Sequence, residues 1–372
     1  MRPRIVVVPP SAETGKIAQE LAPAGFETTL ITRENGQFAA ALSEANYIIC
    51  YPSVKLDAAF YQMAPRLRLV QLLTAGYDDV DLAAARRVGV PVANNGGANA
   101  ISVSEHALML MLTVARRVIW QHASVSAGRW RGNGPSPRMY ELFGKTLGIV
   151  GLGTIGKKVA RLAQTFRMRV EYYDIARLSE DAEDGLGVRF RLLNELLANA
   201  DVVSLHVPLN ESTRGMIGEG ELARMKPSAI LINTSRGPVI DAAALYQALS
   251  AGKLFGAGLD VFDPEPPRPD DPLLRLDNVV LTAHFAGPTS SRAFAMPSTT
   301  CSGSSAVSGR YGSSRSYKIC CSRAETRLTR PRNPVPRRRR PARGRDPLPD
   351  QTRRRLVCRC ARHRRPQWLV AP

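Results

Sequence analysis

Three polar side chains, Arg236, Glu265 and His284, each follow a different apolar run that predicts a buried strand. Ligands of a parallel α/β sheet bind beyond the carboxyl ends of its strands, so the three side chains are expected to converge. An arginine can bind a carboxylate and a carbonyl oxygen through its planar donors. A histidine can give a proton to that oxygen and take it back. Together these residue types fit the reversible reduction of a 2-keto acid.

Two carboxylates extend this prediction. Glu265, if paired with His284, is expected to favour the imidazolium and to raise its pKa, so that the proton stays available near neutrality. Asp260 is left to orient the nicotinamide amide. Each catalytic candidate alone also has a purely structural explanation: a surface cation, a solvated Asp-Pro-Glu-Pro-Pro loop or a satisfied strand-end histidine. Their joint occurrence after a dinucleotide motif favours function.

The other histidines are weaker candidates. His106 and His122 lie on a predicted long helix, and His363 lies in the C-terminal tail. His206, within Ser-Leu-His-Val-Pro, is expected to border the cofactor.

A glycine motif, Gly151-Leu-Gly153-Thr-Ile-Gly156, lies between a predicted strand at 145–150 and a predicted helix at 155–168. This context is typical of a dinucleotide site, where phosphates meet the helix N-terminus, although a glycine turn without a ligand has the same spacing. Asp174, 18 residues beyond Gly156, can accept both hydroxyls of the adenosine ribose and repel a 2′-phosphate. The sequence therefore predicts NAD, while Arg177 leaves a weaker NADP activity open.

Two series of strands and helices must position these residues. The first predicts strands at 5–8, 28–32, 47–50, 67–73 and 90–93, with helices at 16–21, 38–43 and 82–87. A long apolar helix at 101–126 and a connector at 128–137 follow. The second series predicts strands at 146–150, 169–174, 202–205, 230–233, 256–260 and 279–282. This alternation is typical of two doubly wound parallel-sheet domains, Rossmann-like or flavodoxin-like, with a cleft between them.

Charge and cysteine are concentrated at the C-terminus. Residues 297–372 hold 20 of the 51 Lys and Arg residues but three of the 32 acids, so the preceding part is almost neutral. Nucleic acid is therefore not an expected partner of the globular part, despite the net charge of +19. Cys50 is the one cysteine before the tail, which allows no internal disulfide there and suits a reducing cytoplasm. No apolar run approaches the roughly 18 residues of a membrane span.

Six motifs in this order closely resemble the D-isomer-specific 2-hydroxyacid dehydrogenases, a family that includes glyoxylate and hydroxypyruvate reductases, D-lactate dehydrogenases and phosphoglycerate dehydrogenases. Besides the glycine motif they are Thr74-Ala-Gly-Tyr-Asp-Asp-Val-Asp81, Asn99-Ala-Ile-Ser-Val-Ser-Glu105, Ile232-Asn-Thr-Ser-Arg-Gly-Pro238, Gly258-Leu-Asp-Val-Phe-Asp-Pro-Glu-Pro266 and Thr282-Ala-His-Phe-Ala-Gly287. The resemblance extends from about residue 45 to residue 296. Ala283 replaces a proline that is common in the family. Asn99 is similar to the formate dehydrogenase branch, but that branch has glutamine where this sequence has Glu265.

The resemblance implies a substrate domain at 1–100, an NAD-binding domain at 101–286, and a return toward the first domain from 287–296. It implies that substrate binds in the cleft and that the 101–126 helix forms a homodimer. The residues that it implies for substrate are Ala75, Gly76 and Asn99. Those that it implies for the cofactor are Thr154 and Ile155 at the pyrophosphate, Val207, Pro208 and Thr213 at the adenosine, and Thr234, Ser235, Arg236 and Asp260 at the nicotinamide.

The tail departs from the family. After Met296 the helical periodicity stops, and the chain becomes rich in Arg, Pro and Ser, with Lys318 as its single lysine. An out-of-frame reading of a GC-rich gene has this composition, so a frameshift near residue 296 is one hypothesis, tested by translating the neighbouring frames. A basic nucleic-acid-binding extension and, more remotely, a zinc site at Cys358, Cys360 and His363 are the alternatives. Loss of the returning helix would expose apolar surface on the first domain and weaken the hinge, which leaves an unstable or inactive product as a further alternative.

An NAD-dependent oxidoreductase of a small 2-keto or 2-hydroxy acid is thus the leading prediction. The rival from another class is a non-catalytic, NAD-responsive binding protein, because transcriptional corepressors share this fold and its catalytic residues. Turnover of a 2-keto acid with NADH distinguishes the two.

Overall fold

Buried apolar runs form two parallel sheets in residues 2–51, 54–130 and 138–287, the part of the chain that the computed structural model describes. The first sheet has the order β2-β1-β3-β4-β5, with parallel pairing throughout. This is a flavodoxin-like order. Its strands are β1 Arg4–Val7, β2 Glu27–Leu30, β3 Tyr47–Cys50, β4 Leu69–Leu72 and β5 Val92–Ala93.

Four helices connect the strands of the first sheet: α1 Ala12–Glu20, α2 Phe38–Ser43, α3 Ala58–Met63 and α4 Leu82–Arg87. The predicted helix at 16–21 begins earlier because the Ser11 side chain accepts a hydrogen bond from the Thr14 amide and caps the first turn. The α3 helix was not predicted. It is six residues long, and the Asp57 side chain caps it in the same way by accepting a hydrogen bond from the Phe60 amide.

The second sheet has the order β12-β11-β10-β9-β6-β7-β8, again entirely parallel. Because the order reverses at β6, a crevice is expected at the carboxyl ends of β6 and β9. Its strands are β6 Thr146–Val150, β7 Arg169–Tyr173, β8 Val188–Phe190, β9 Val202–Leu205, β10 Ile230–Asn233, β11 Gly256–Leu259 and β12 Val279–Leu281. The prediction of two doubly wound parallel sheets is confirmed; β8 was not predicted.

The helices of the second series cover both faces of this sheet and bury its apolar residues. They are α7 Thr154–Thr165, α8 Glu180–Leu186, α9 Leu193–Asn199, α10 Glu219–Arg224 and α11 Ala242–Ser250. Two 3-10 helices, Gly237–Val239 and Pro272–Arg275, follow β10 and precede β12.

The predicted long helix at 101–126 is wrong as one element, because it divides into α5 Ala100–Ala115 and α6 Val118–Ser126. Arg117 adopts a left-handed conformation with φ of 50° between them. Its guanidinium lies 4.3 Å from the centre of the Phe255 ring and donates to the Phe255 carbonyl oxygen at 3.1 Å. A contact made far along the chain therefore accompanies the break. The α5 helix packs against β11, where Leu110 contacts Gly258.

Several sequence predictions lie outside the described residues. These are the 131–137 part of the connector, the return toward the first domain beyond residue 287, and everything predicted for the tail at 297–372. None of the described helices is long and apolar enough to cross a membrane.

Candidate active site

The glycine motif forms a close turn between β6 and α7. Gly151 has φ of 95°, and a Cβ there would lie 2.8 Å from the backbone of His206. Gly156 packs against the Gly151 carbonyl so closely that no Cβ fits, whereas Gly153 faces open space. The α7 helix begins at Thr154, so the amides of its first turn have no partner within the helix. This cradle fits a dinucleotide pyrophosphate, approaching at Gly153.

Asp174 links the end of β7 to the glycine turn by hydrogen bonding. Its Oδ2 atom accepts a hydrogen bond from the Leu152 amide at 2.8 Å, and its Oδ1 atom accepts one from the Ala176 amide at 3.0 Å. A carboxylate oxygen has two lone pairs, so each oxygen keeps one for a further donor such as a ribose hydroxyl. Its predicted role, accepting the hydroxyls of the adenosine ribose, stays a prediction.

Arg177, which left an NADP activity open, has partners of its own. Its Nε atom donates to Glu183 Oε1 at 3.1 Å, and its guanidinium lies 5.2 Å from the centre of the Phe190 ring. Burial alone would raise the pKa of Glu183, but hydrogen bonds from Arg177, Tyr172 and the Phe190 amide outweigh it and lower the pKa. Glu183 is therefore a buried carboxylate, 3% exposed, whose compensating cation is Arg177.

The segment after β9 borders the glycine turn. His206 Nε2 lies 2.9 Å from Ser204 Oγ, and Val207 contacts Gly151. Thr213 donates to the Pro208 carbonyl oxygen at 2.7 Å and so closes the loop. His206, Val207, Pro208 and Thr213, all predicted at the cofactor, are thus gathered in one segment, and His206 Nδ1 has no hydrogen-bond partner among the described residues.

His206 is expected to make folding stability depend on pH. Burial lowers its pKa from 6.5 to about 4, so the unfolded chain takes up the proton first. Stability from the neutral ring is complete above pH 6.5 and is lost as pH falls from there to about 4. His206→Gln should therefore lose less stability than the wild type between pH 6.5 and 4 in urea unfolding. His122→Gln, at an exposed position, is the control; equal acid sensitivity of all three proteins would contradict the assignment.

Arg236 follows β10 on a turn that Asn233 organises. The Asn233 side chain accepts from the Ser235 amide at 3.0 Å and donates to the Arg236 carbonyl oxygen at 2.9 Å. The guanidinium donates through Nη1 to the Ser235 carbonyl oxygen at 2.6 Å and through Nε to Asp78 Oδ2 at 2.6 Å. The neighbouring Thr234 hydroxyl is buried without a partner among the described residues. A cation and an unused hydroxyl thus lie at the end of β10.

The predicted substrate loop after β4 reaches the same guanidinium. Thr74 Oγ1 donates to the Gly76 carbonyl oxygen at 2.7 Å, and Asn94 Nδ2 donates to the Ala75 carbonyl oxygen at 2.7 Å. Gly76 lies so close to Arg236 Nη2 that a Cβ would overlap that atom. The structure therefore brings the predicted residues Ala75 and Gly76 to Arg236, although they belong to different sheets.

His284 and Glu265 form a direct pair, with 2.8 Å between Nδ1 and Oε2. Glu265 Oε1 accepts from the Phe262 amide at 3.0 Å, which fixes the carboxylate. Because an ionised carboxylate only accepts, Nδ1 carries the proton and Nε2 is left for a ligand. His284 has φ of 57°, a costly conformation that its amide stabilises by donating to the Asp260 carbonyl oxygen at 2.8 Å.

The Asp260 carboxylate holds the loop that carries His284. It accepts from Thr282 Oγ1 at 2.6 Å, from the Phe285 amide at 3.1 Å and from the Ala286 amide at 3.0 Å, and its side chain is 1% exposed. Sequence reasoning reserved this residue for the nicotinamide amide, but the structure shows its oxygens engaged by the loop. The sequence does not reveal that the Asp260 carboxylate is buried, so its hydrogen bonds to this loop could not be predicted.

Two residues of the α5 segment border the same loop. His106 Nε2 lies 2.9 Å from Thr282 Oγ1 and 3.4 Å from Asp260 Oδ1. Since Thr282 donates to Asp260, His106 donates to Thr282. Sequence reasoning placed His106 on the helix without a role, and no signal in its own segment could have revealed a contact with residue 282. Asn99, predicted at the substrate, lies beside Gly287, and its buried Oδ1 has no partner among the described residues.

Comparisons with a protein-family model and with known proteins show what this chain is similar to. Residues 108–286 match the model of a family described as D-isomer specific 2-hydroxyacid dehydrogenase, NAD binding domain. The chain is 48% identical to a glyoxylate reductase of Korarchaeum cryptofilum over 233 residues, which is 62% of this chain and 70% of the relative. It is 42% identical to a D-3-phosphoglycerate dehydrogenase of Archaeoglobus fulgidus over 242 residues, covering 65% of this chain and 45% of that one.

The fold is similar to that of the D-lactate dehydrogenase from Aquifex aeolicus, solved in complex with NAD and lactic acid. The TM-score is 0.70 at 30% sequence identity, covering 81% of this chain and 95% of that one.

Proposed function

Because this chain belongs to the NAD-dependent D-isomer-specific 2-hydroxyacid dehydrogenase family, we propose that Arg236, Glu265 and His284 serve the reversible reduction of a small 2-keto acid, in which NADH would supply the hydride and His284 the proton. One observation carries the proposal. The His284–Glu265 pair and Arg236 follow β12, β11 and β10, which are adjacent parallel strands, and so share one edge of the sheet. A proton donor and a carboxylate-binding cation are thereby available to one small ligand.

Arg236 binds the substrate in this proposal. Its Nε and one Nη1 hydrogen have acceptors in the protein, while Nη2 has none among the described residues. The Nη edge of the guanidinium is thus free to donate to the substrate carboxylate and to the carbonyl oxygen. Backbone groups of Ala75 and Gly76, the second of which lies against the guanidinium, and the Asn99 amide complete the carboxylate site.

His284 moves the proton. Its Nδ1 donates to Glu265, so Nε2 delivers a proton to the substrate carbonyl oxygen in reduction and removes it from the hydroxyl in oxidation. Glu265 keeps the ring oriented through the hydrogen bond to Nδ1. The network of Asp260, Thr282 and His106 holds the loop on which the ring is mounted.

The residues around β6 fit NAD, as the absence of room for a Cβ at Gly151 and Gly156 and the open approach at Gly153 indicate. The bound cofactor supplies the hydride. Gly153, Thr154 and Ile155 hold its pyrophosphate, Asp174 holds its adenosine ribose, and Val207, Pro208 and Thr213 line its adenosine side. Thr234 and Ser235 lie on the nicotinamide side. The unpartnered Thr234 hydroxyl supports this assignment.

The substrate class is tested with the purified full-length chain, NADH and a panel of glyoxylate, hydroxypyruvate, pyruvate and phosphohydroxypyruvate. We expect oxidation of NADH with at least one of these acids, followed at 340 nm. Glyoxylate and hydroxypyruvate are the first candidates, because the relatives include a glyoxylate reductase and a hydroxypyruvate reductase. Tight NADH binding without turnover of any acid would contradict the proposal and favour a binding protein.

The contacts of Arg177 predict how cofactor selectivity responds to mutation. Asp174→Ser should weaken NADH binding, yet NADPH should gain little, because Glu183 holds the cation that a 2′-phosphate needs. The double variant Asp174→Ser/Glu183→Gln should bind NADPH about 10-fold tighter than Asp174→Ser alone. The dissociation constants of NADH and NADPH are measured for each variant by protein fluorescence. Asp181→Asn, on the exposed side of α8, is the control. Equal NADPH affinity in the single and double variants would contradict this assignment.

We further propose that residues 1–100 and 101–286 are the substrate and cofactor domains, with substrate bound in the cleft between them.

The same chain is proposed to form a homodimer. Large apolar side chains on α5 and α6 are exposed, which supports an interface on these helices. They are Ile101, Met109, Val118, Ile119, Trp120 and Val125. Light scattering coupled to gel filtration should give twice the chain mass of 40.6 kDa.

We assign the protein to the cytoplasm. Cys50 is free and buried, and burial raises the pKa of its thiol to about 12, so it remains an unreactive thiol. With this single cysteine the described residues form no disulfide among themselves, which supports a reducing compartment.

A further inference from the structure

The acid that contacts Arg236 comes from the other sheet. Asp78 lies on the loop after β4, and its Oδ2 atom accepts from Arg236 Nε at 2.6 Å. The two side chains are 23% and 29% exposed, so solvent screens their attraction less than it screens a surface pair. The two residues are 158 positions apart in the chain. This ion pair therefore joins the two proposed domains at the reacting centre.

The remaining contacts of the guanidinium restrict its plane. Nη1 donates to the Ser235 carbonyl oxygen at 2.6 Å, and Nη2 lies against Gly76 where no Cβ could fit. An arginine side chain with a free end samples many rotamers, and ordering it costs free energy at the moment of binding. Here Asp78 takes the Nε edge, which turns the Nη edge toward the rest of the site.

We propose that Asp78 is a positioning residue for the reaction: it holds the Arg236 guanidinium, across the two sheets, in the orientation that binds the carboxylate of the 2-keto acid. The inference rests on the proposed function of Arg236. Asp78 contacts no reacting atom and acts through Arg236 alone. Its removal should therefore weaken substrate binding and leave the affinity for NADH nearly unchanged, because the residues proposed for the pyrophosphate and the adenosine follow β6, β7 and β9.

The test uses Asp78→Asn and Asp78→Ala in the full chain, with Asp79→Ala at the exposed neighbouring position as the control. The measurements are KM and kcat for the best acid of the panel, and the dissociation constants of oxamate and NADH. Asp78→Ala should raise KM and the oxamate constant about 10-fold or more, since a hydrogen bond between charged groups is lost. Asp78→Asn keeps a hydrogen-bond acceptor without the charge, so its KM and oxamate dissociation constant should lie between those of the wild type and of Asp78→Ala. NADH affinity should change less than twofold in every variant.

A cycle with Arg236→Lys separates positioning from a general structural effect. If Asp78 acts through the guanidinium, Asp78→Ala should have little further effect on oxamate binding once Arg236 is replaced. Equal effects in both backgrounds would overturn the inference, as would an active wild type whose KM is unchanged by Asp78→Ala. Failure of the proposed function gives a different result, a wild type that binds NADH and turns over no acid, and it would overturn this inference as well.

Discussion

Replacing His284 by alanine is expected to lower kcat for 2-keto acid reduction by about 10²- to 10⁴-fold, the range typical of a lost general acid. His284 Nε2 is the nitrogen left free by the bond between Nδ1 and Glu265, whereas His206, which follows β9 of the same sheet, has its Nε2 2.9 Å from Ser204 Oγ. Because the side chain is 48% exposed, its truncation leaves little cavity, and the unfolding temperature should be preserved. Steady-state assays with NADH at saturating acid measure the effect.

His122→Ala is the matched control for this experiment. It removes a second histidine, exposed on α6 and outside the site, and should leave kcat unchanged. NADH affinity should be the same in all three proteins. A His284→Ala enzyme with at least half the wild-type kcat would eliminate this histidine as the proton donor.

Arg236→Lys is expected to lower kcat/KM by about 100-fold, chiefly through KM. A lysine keeps the charge but loses the planar pair of Nη donors and the Nε bond to Asp78. Losing two hydrogen bonds between charged groups corresponds to about 3 kcal/mol of binding free energy, or about two decades. Competition by oxamate measures the lost affinity independently of the chemical step.

Arg224→Lys, in the exposed last turn of α10, is the control for a conservative arginine substitution. It should leave both kinetic constants unchanged. If Arg236→Lys retained the wild-type KM and oxamate affinity, the substrate carboxylate would have to bind elsewhere.

The elements nearest the site could be predicted from the sequence, because most of their strands are fully buried and appear as continuous apolar runs. The bounds predicted for β6, β9 and β10 agree with the structure, and those for β11 and β12 differ by one residue. Strand-end positions follow directly from these bounds. Arg236, Glu265 and His284 could therefore be selected from the sequence.

Features that depend on long-range contacts could not be predicted. The break at Arg117 accompanies a contact with Phe255, and the short strand β8 has only three residues in a polar surrounding. Asp78 and His106 reach the site through partners 158 and 176 residues away. The hydrophobic periodicity of one segment does not indicate which distant residues that segment contacts. The positions that sequence reasoning missed are therefore those that support the reacting groups from other segments.

The most direct test of the central claim is a crystal structure of the full-length chain with NADH and oxamate, an unreactive analogue of a 2-keto acid. We expect the oxamate carboxylate to lie on the Nη edge of Arg236 and its carbonyl oxygen to lie within hydrogen-bond distance of His284 Nε2. Oxamate bound away from these two residues, with NADH in place at the glycine turn, would contradict the account.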